Sequence, residues 1–273
     1  MCGVRCDILE LDVFSTGPFT GNPLAVIAGA GGADTATMQR VAAWLNYSET
    51  TFLLPPTDPG ADYSVRIFTA SEEFDFAGHP TLGTAAAWLE LGGTPAREGA
   101  LVQECGAGLV PVRAGETGFA FATPPLRRSG ALSPGELDGV LRRFGLGRSD
   151  VVDDAWADNG PGWKVVQLGD VDKLRSLEFS GGGDKVGFVA LTGGAEPWCE
   201  VRAFTTDRED PVTGSLNGAL AQWLRARSLA PASYVAEQGR HVGRAGRVEI
   251  TDDGRDIWVG GTVTARVRGT IDL

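Results

Sequence analysis

Arg66-Ile67-Phe68-Thr69, followed by Gly78-His79-Pro80-Thr81, returns later in the chain as Arg202-Ala203-Phe204-Thr205, followed by Gly214-Ser215-Leu216-Asn217. Arg66, Phe68, Thr69 and Gly78 recur 136 positions on, as Arg202, Phe204, Thr205 and Gly214 (66 to 202, 78 to 214). Trp88-Leu89 recurs as Trp223-Leu224 at a separation of 135, which implies one residue lost within the helical segment. Beyond it, Val102-Gln103-Glu104-Cys105-Gly106 is echoed by Val235-Ala236-Glu237-Gln238-Gly239. Several elements repeating in order and spacing exceed a chance likeness of two strand–helix units, so the chain reads as two copies of one ancestral unit. The break is expected in Thr123–Pro134, where Pro124-Pro125 and Ser129-Gly130 interrupt regular structure. This divides the chain into an N-terminal lobe, 1–125, and a C-terminal lobe, 126–273, with the last strand near Ile257–Val267 able to return to the first lobe.

Within the first copy, Cys6–Phe14, Leu24–Ala28, Thr50–Leu54 and Tyr63–Thr69 read as strands. Asp34 or Thr35 caps a helix through Leu45 whose Met38, Val41, Ala42 and Leu45 share one face. Thr81–Leu91 is helical and apolar nearly all round, the mark of a buried helix, and Asn217–Arg225 is its counterpart.

At 273 residues the chain has room for two cores. Thirty-five acidic residues oppose 24 basic ones, a net charge of −11, which argues against a nucleic-acid partner because phosphate binding needs clustered Lys and Arg. Charges interrupt the first residues and no apolar run is long enough to span a bilayer, so neither export nor a membrane partner is expected, and the cytoplasm is the default. Cys2, Cys6, Cys105 and Cys199 form no regular framework; Cys2 and Cys6 could pair, but reduced thiols are expected. Gly29–Gly32, Gly106–Gly108 and Gly181–Gly183 lack the spacing of a nucleotide-binding loop, and two distant histidines with scattered cysteines make no metal set. No cofactor is expected.

Four places could carry chemistry. His79 lies in a polar turn at the mouth of the first buried helix, with Pro80 suited to the first helical position. The matching turn of the second copy, Glu209–Ser215, holds a carboxylate, Asp210, and a hydroxyl, Ser215. Two helix mouths able to cradle an anion suggest a small carboxylate substrate held between the copies. Glu49, in the Asn46–Thr50 loop, would with Asp210 make a carboxylate pair able to take and return a proton if the loop folds over the cleft. Asn22, in the turn Thr20-Gly21-Asn22-Pro23, could bind a polar substrate group. Each has a plain structural alternative: a capping turn for His79, a helix-entry residue for Asp210, a solvated loop position for Glu49, a turn cap for Asn22.

Taken together, Phe19–Val26, Leu45–Thr50, Arg66–Thr69 with Gly78–Gly83, Glu209–Ser215 and the final Val259-Gly260-Gly261 resemble the successive signatures of the PhzF-like family of phenazine biosynthesis. The resemblance spans nearly the whole chain and preserves motif order. It implies an α+β, diaminopimelate epimerase-like fold: two pseudo-symmetric lobes, each a curved sheet around a central helix. It implies a cofactor-independent isomerase acting on a small cyclic carboxylate in secondary metabolism, with Glu49 as proton carrier and His79, Asp210 and Ser215 supporting it. Asn22, Ser48, Gly78, Thr213 and Gly214 are then expected to bind substrate, and a homodimer is expected. Related epimerases and racemases use two opposed cysteines at the positions of Ala77 and Thr213, so a two-thiol mechanism is not expected here. Ala70 and Ala245 stand where the family often has proline, which bears on the substrate more than on the reaction class. Three other readings compete: a hydrolase using Ser215, His79 and Asp210, for which the nucleophile-elbow spacing is missing; a dehydratase on the same scaffold; and a non-catalytic ligand-binding protein.

Overall fold

The computed structural model describes residues 4–115, 118–194 and 196–273; Cys2 lies outside them. Contacts divide the chain into two compact units, Met1–Ala122 with Gly260–Leu273, and Thr123–Val259.

The first unit runs β1 (Arg5–Val13), β2 (Asn22–Ala28), α1 (Thr35–Leu45), β3 (Glu49–Leu54), β4 (Tyr63–Phe68), β5 (Glu73–Phe74), α2 (Gly78–Glu90), β6 (Ala100–Cys105), β7 (Gly108–Ala114) and β8 (Phe119–Ala122). The second runs β9 (Arg128–Gly130), α3 (Pro134–Phe144), β10 (Val151–Asp158), β11 (Lys164–Leu168), α4 (Val171–Arg175), β12 (Val186–Leu191), β13 (Cys199–Phe204), β14 (Glu209–Asp210), α5 (Gly214–Ala226), β15 (Ser233–Gln238) and β16 (Gly246–Asp252). β17 (Ile257–Gly261) and β18 (Val263–Asp272) close the chain, and β18 lies antiparallel to β1 within the first unit.

The two units share one strand plan. In the first, β1–β2 is antiparallel, β2–β3 parallel, β3–β4 antiparallel, β4–β6 parallel and β6–β7 antiparallel. In the second, β10–β11, β11–β12, β12–β13, β13–β15 and β15–β16 repeat that alternation. A parallel pair needs a crossover, and a helix supplies each one: α1 and α4 for the first parallel pair, α2 and α5 for the second. Register carries the repeat to single residues. Tyr63 pairs with Gln103 and Cys199 with Ala236, which makes Gln103-Glu104 and Ala236-Glu237 equivalent.

α2 and α5 are the buried helices. Their apolar sequences leave almost no solvent face, and Leu82, Ala85, Leu216, Ala219 and Leu224 are all fully buried. Gly83 marks the close approach of α2 to β1 and β2, where a Cβ would come within 2.4 Å of the Leu24 side chain. Both helices have 13 residues and begin 136 positions apart, so the lost residue inferred from Trp88 and Trp223 does not exist; the two tryptophans occupy different positions on equal helices. Each helix also starts three residues earlier than its sequence suggests, at Gly78 and Gly214. Pro80 is thus the third helical residue rather than the first, a place that tolerates proline because the first-turn N–H groups have no intrahelical partner. Asp34 caps α1 by accepting from Thr37 N–H at 2.8 Å, and Met38 and Ala42 are its buried face. Among the described residues no helix is long and apolar enough to cross a membrane.

A two-residue strand leads into each central helix, clamped by an arginine seven residues before its glutamate. Arg66 bonds Glu73 at 2.6 Å and lies over the Phe68 ring; Arg202 bonds Glu209 at 2.6 Å and lies over the Phe204 ring. The first pair is about one-third exposed, whereas both side chains of the second are 3% exposed. Arg202 Nη1 also donates to the Leu174 and Leu177 carbonyls. Removing one member of a dry pair strands the other, at about 3–5 kcal/mol, while exposed pairs contribute about 1 kcal/mol or less. Arg202→Met is therefore expected to lower stability by several kcal/mol and Arg66→Met by about 1 kcal/mol, measured by urea unfolding; equal losses would contradict this account of the clamps.

Candidate active site

In the first unit, Asn22, Glu49 and His79 meet at the start of α2. β2 and β3 run parallel with Leu24 paired to Glu49, so Asn22 and Glu49 stand at the same end of neighbouring strands. His79 is the second residue of α2. Asn22 Nδ2 lies 3.4 Å from His79 Nδ1, and Glu49 Oε2 lies 3.5 Å from His79 Nε2. Glu49 is not a loop residue as its sequence context suggests: it opens β3, and strand pairing holds its backbone. Ser48 immediately precedes it, half-buried, and Gly78 is the buried first residue of α2.

The turn before Asn22 is built to bring it there. Gly21 N–H donates to Asp12 Oδ1 at 2.8 Å, and a Cβ at Gly21 would lie 2.1 Å from the Val13 carbonyl oxygen, so only glycine fits. Asp12 is buried, and its Oδ2 accepts from Arg266 of β18 at 3.2 Å. Neither residue stands out in the sequence, because their meeting depends on the pairing of the first and last strands.

Burial sets the chemistry of His79. Its ring is 4% exposed, and desolvation lowers its pKa to about 3, against a smaller opposing effect of a hydrogen bond to the Pro23 backbone. At neutral pH the ring is therefore neutral, and the contact with Glu49 is an imidazole facing a carboxyl group rather than an ion pair. A separation of 3.5 Å is longer than a formed hydrogen bond, and catalytic contacts of this kind tighten around substrate. Neutral imidazole has one N–H and one lone pair, so it can either donate to the neighbouring carboxyl group or accept from it.

In the second unit, Asp210 ends β14, Thr213 caps α5, and Gly214 and Ser215 form its first turn. Asp210 belongs to the short return strand, not to a helical turn. The Thr213 hydroxyl donates to Asp210 Oδ2 at 2.5 Å. Ser215 Oγ accepts from the Trp163 indole N–H at 3.1 Å, and Asn159 holds the Ser215 carbonyl at 2.9 Å. An indole N–H can only donate, so the serine hydroxyl keeps its own hydrogen to give. Among the described residues no base is bonded to that hydroxyl. Trp163, Asn159 and Gln238 escaped the sequence reading. Gln238 lies in the echoed stretch Val235–Gly239 and had that signal; Trp163 and Asn159 had none, since they reach α5 from the connection between β10 and β11.

Ala77 and Thr213 are the N-caps of α2 and α5, and neither caps its helix with a side-chain hydrogen bond. Cys6, Cys105 and Cys199 are free thiols on β1, β6 and β13, and burial raises the pKa of each. Among the described residues no three His, Cys, Asp or Glu side chains group so as to hold a metal ion.

With this geometry in view, the likenesses to known proteins are informative. Residues 11–269 match the family model for phenazine biosynthesis-like protein. Antisense-enhancing sequence 1 of Schizosaccharomyces pombe is 32% identical over 264 residues, covering 89% of each chain. A trans-2,3-dihydro-3-hydroxyanthranilate isomerase of Pseudomonas fluorescens is 49% identical over 77 residues, 28% of this chain and 27% of that one. The solved structure of a predicted epimerase from Pseudomonas aeruginosa superposes with a TM-score of 0.81 at 27% identity, covering 97% of this chain and 99% of that one. The fold is the α+β, diaminopimelate epimerase-like one.

The depressed pKa of His79 has a consequence for stability. The unfolded chain binds a proton on this ring below about pH 6.5, while the folded chain resists it to about pH 3. The unfolded state thus holds more protons in that window, and the contribution of His79 is complete above pH 6.5 and lost as pH falls towards 3. Between pH 7 and 4.5 the loss is on the order of 2–3 kcal/mol. His79→Gln should show an acid-side fall shallower by about that amount in urea unfolding at the two pH values; an unchanged fall would mean that the ring is protonated in the fold.

Proposed function

The chain belongs to the phenazine biosynthesis-like family, whose members include isomerases, and from that premise we propose that it is a cofactor-independent isomerase that shifts a double bond in a small cyclic carboxylate by moving one proton. The observation that carries this reading is the contact between Glu49 Oε2 and the neutral, buried His79 Nε2. Glu49 removes a proton from one ring carbon, the electron pair forms the new double bond, and the old double bond takes up a proton at its far carbon. One C–H bond breaks and one forms, with no change of oxidation level, so no redox cofactor is called for. His79, held by Asn22, orients the Glu49 carboxyl group and can exchange the proton with it. In the second unit, Ser215 has a hydroxyl hydrogen to give and Asp210 a carboxylate able to take or return a proton.

The rigid placement of Glu49 bears on the outcome. A carboxyl group fixed by β3 acts on one face of a flat substrate, which suits a shift along that face better than inversion at one carbon. Two opposed groups would be needed for inversion, and the N-caps where related epimerases carry thiols are Ala77 and Thr213. The substrate named for the Pseudomonas fluorescens relative, trans-2,3-dihydro-3-hydroxyanthranilate, is the first compound to try. Other cyclic amino and hydroxy acids, ranked by thermal shift, come next.

The test is turnover in deuterated water. Wild type should place solvent deuterium at the carbon that gains the proton, and Glu49→Gln should lose roughly 10²–10⁴-fold in kcat with substrate binding largely kept. Near-normal turnover by that variant would move the proton carrier elsewhere. Iodoacetamide treatment should leave wild-type activity intact, since the N-caps of the central helices are Ala77 and Thr213 rather than cysteines; inactivation with the fold preserved would contradict the thiol-free mechanism.

A further inference from the structure

The side-chain amide of Gln238, at the end of β15, has all four of its hydrogen-bonding positions in use. Its Oε1 accepts from the Thr213 N–H at 3.0 Å and from Asn217 Nδ2 at 3.0 Å. Its Nε2 donates to the Asp210 carbonyl at 3.0 Å and to the Thr213 hydroxyl oxygen at 2.9 Å. A backbone N–H can only donate and a carbonyl can only accept, so these two partners leave the amide a single orientation. Asn217 Nδ2 also donates to the Thr213 carbonyl at 2.9 Å, which fixes its own direction.

This orientation passes along the chain of bonds. Because Nε2 donates into Thr213 Oγ1, the hydrogen of that hydroxyl must point elsewhere, and Asp210 Oδ2 lies 2.5 Å away. Thr213 is 7% exposed, and among the described residues no other acceptor bonds its hydroxyl. The donation therefore runs one way, from Gln238 to Thr213 to Asp210, and the oxygen at its end is an acceptor that carries no proton. Of the charged residues beside it in the chain, Glu209 is bonded to Arg202 at 2.6 Å, and Arg208 to Asp207 at 3.2 Å.

Resting on the isomerase reading above, we propose that Gln238 and Thr213 are positioning residues that fix the oxygen through which Asp210 exchanges protons: Oδ2 is kept as an acceptor, and a proton taken or given by Asp210 passes through Oδ1. A proton placed on Oδ2 and given to Thr213 would leave the buried Thr213 hydroxyl hydrogen without an acceptor, and reversing the whole chain of bonds would turn the Gln238 amide against two backbone groups. A hydroxyl donating to a carboxylate is also a charge-assisted bond, stronger than one to the neutral acid, so the same wiring holds Asp210 ionised and lowers its affinity for a proton.

Carbon-13 NMR of the whole protein, labelled at its aspartate carboxyl groups, tests this without any substrate, with the Asp210 signal identified by its loss in Asp210→Asn. In Thr213→Val the Asp210 titration midpoint should rise by roughly one pH unit, about a tenfold gain in proton affinity. Thr213→Ser, which keeps the hydroxyl, should restore the wild-type midpoint. Gln238→Met, which frees the hydroxyl to rotate, should fall between the two. An unchanged midpoint in Thr213→Val overturns the proposal and reduces the network to a structural one; an unchanged midpoint in Gln238→Met overturns the part given to Gln238, and decides the matter alone if Thr213→Val does not fold. In turnover of trans-2,3-dihydro-3-hydroxyanthranilate, Thr213→Val should lower kcat about tenfold with little change in KM. Failure of wild type to turn over any cyclic acid counts against the isomerase reading alone, and the titration stands apart from it.

Discussion

Each unit depends on a helix that begins in its interior, and on an arginine–glutamate clamp that brings the chain back to that point. α2 and α5 are too apolar to lie on a surface, so their first turns are buried with the rest. The chain reaches them through β5 and β14, each only two residues long, and strands so short contribute little pairing of their own. Arg66 and Arg202 hold these returns by bonding the glutamate that opens each one. His79 and Ser215 then occupy equivalent positions in the first helical turn, where side chains meet protein rather than bulk water.

The two clamps have diverged. In the second unit Arg202 and Glu209 are dry, and Asp210 follows directly on the clamped residue, so the carboxylate offered for chemistry is fixed by the interaction that holds the fold. In the first unit the pair is partly exposed, and the equivalent of Asp210 is Phe74. There the polarity sits at the strand ends instead, with Asn22 and Glu49 on β2 and β3 and a histidine on α2. One ancestral plan thus holds a neutral imidazole beside a carboxyl group in one copy and a wired carboxylate in the other. In the proposed reaction, burial is what makes His79 useful. A charged imidazolium would bind Glu49 as a fixed ion pair, whereas a neutral ring can exchange a proton with it.

Much of this was legible in the sequence because the repeat is carried by residues with structural duties. Arg66 and Arg202 are clamps, Phe68 and Phe204 are the rings they cover, and Gly78 and Gly214 begin the central helices. The apolar run after Gly78 announced a buried helix, and Asp34 announced the cap of α1. What local pattern could not supply was anything set by pairing between distant segments. Glu49 reads as a loop residue until its register with Leu24 is known. The helix starts were displaced because proline is allowed through the whole first turn, not at its first position alone. Asp12 and Trp163 act through partners 9 to 254 residues away in the sequence, and nothing beside them announces it.

The central claim is that His79 is a neutral imidazole facing Glu49. The chain has only two histidines, so nitrogen-15 labelling of histidine yields two rings, and His241→Asn leaves one. Across pH 8 to 4.5 the two ring nitrogens of His79 should keep the unequal shifts of a neutral ring, and those shifts should change in Glu49→Gln. An imidazolium pattern at pH 7 would make the contact an ion pair and contradict the account.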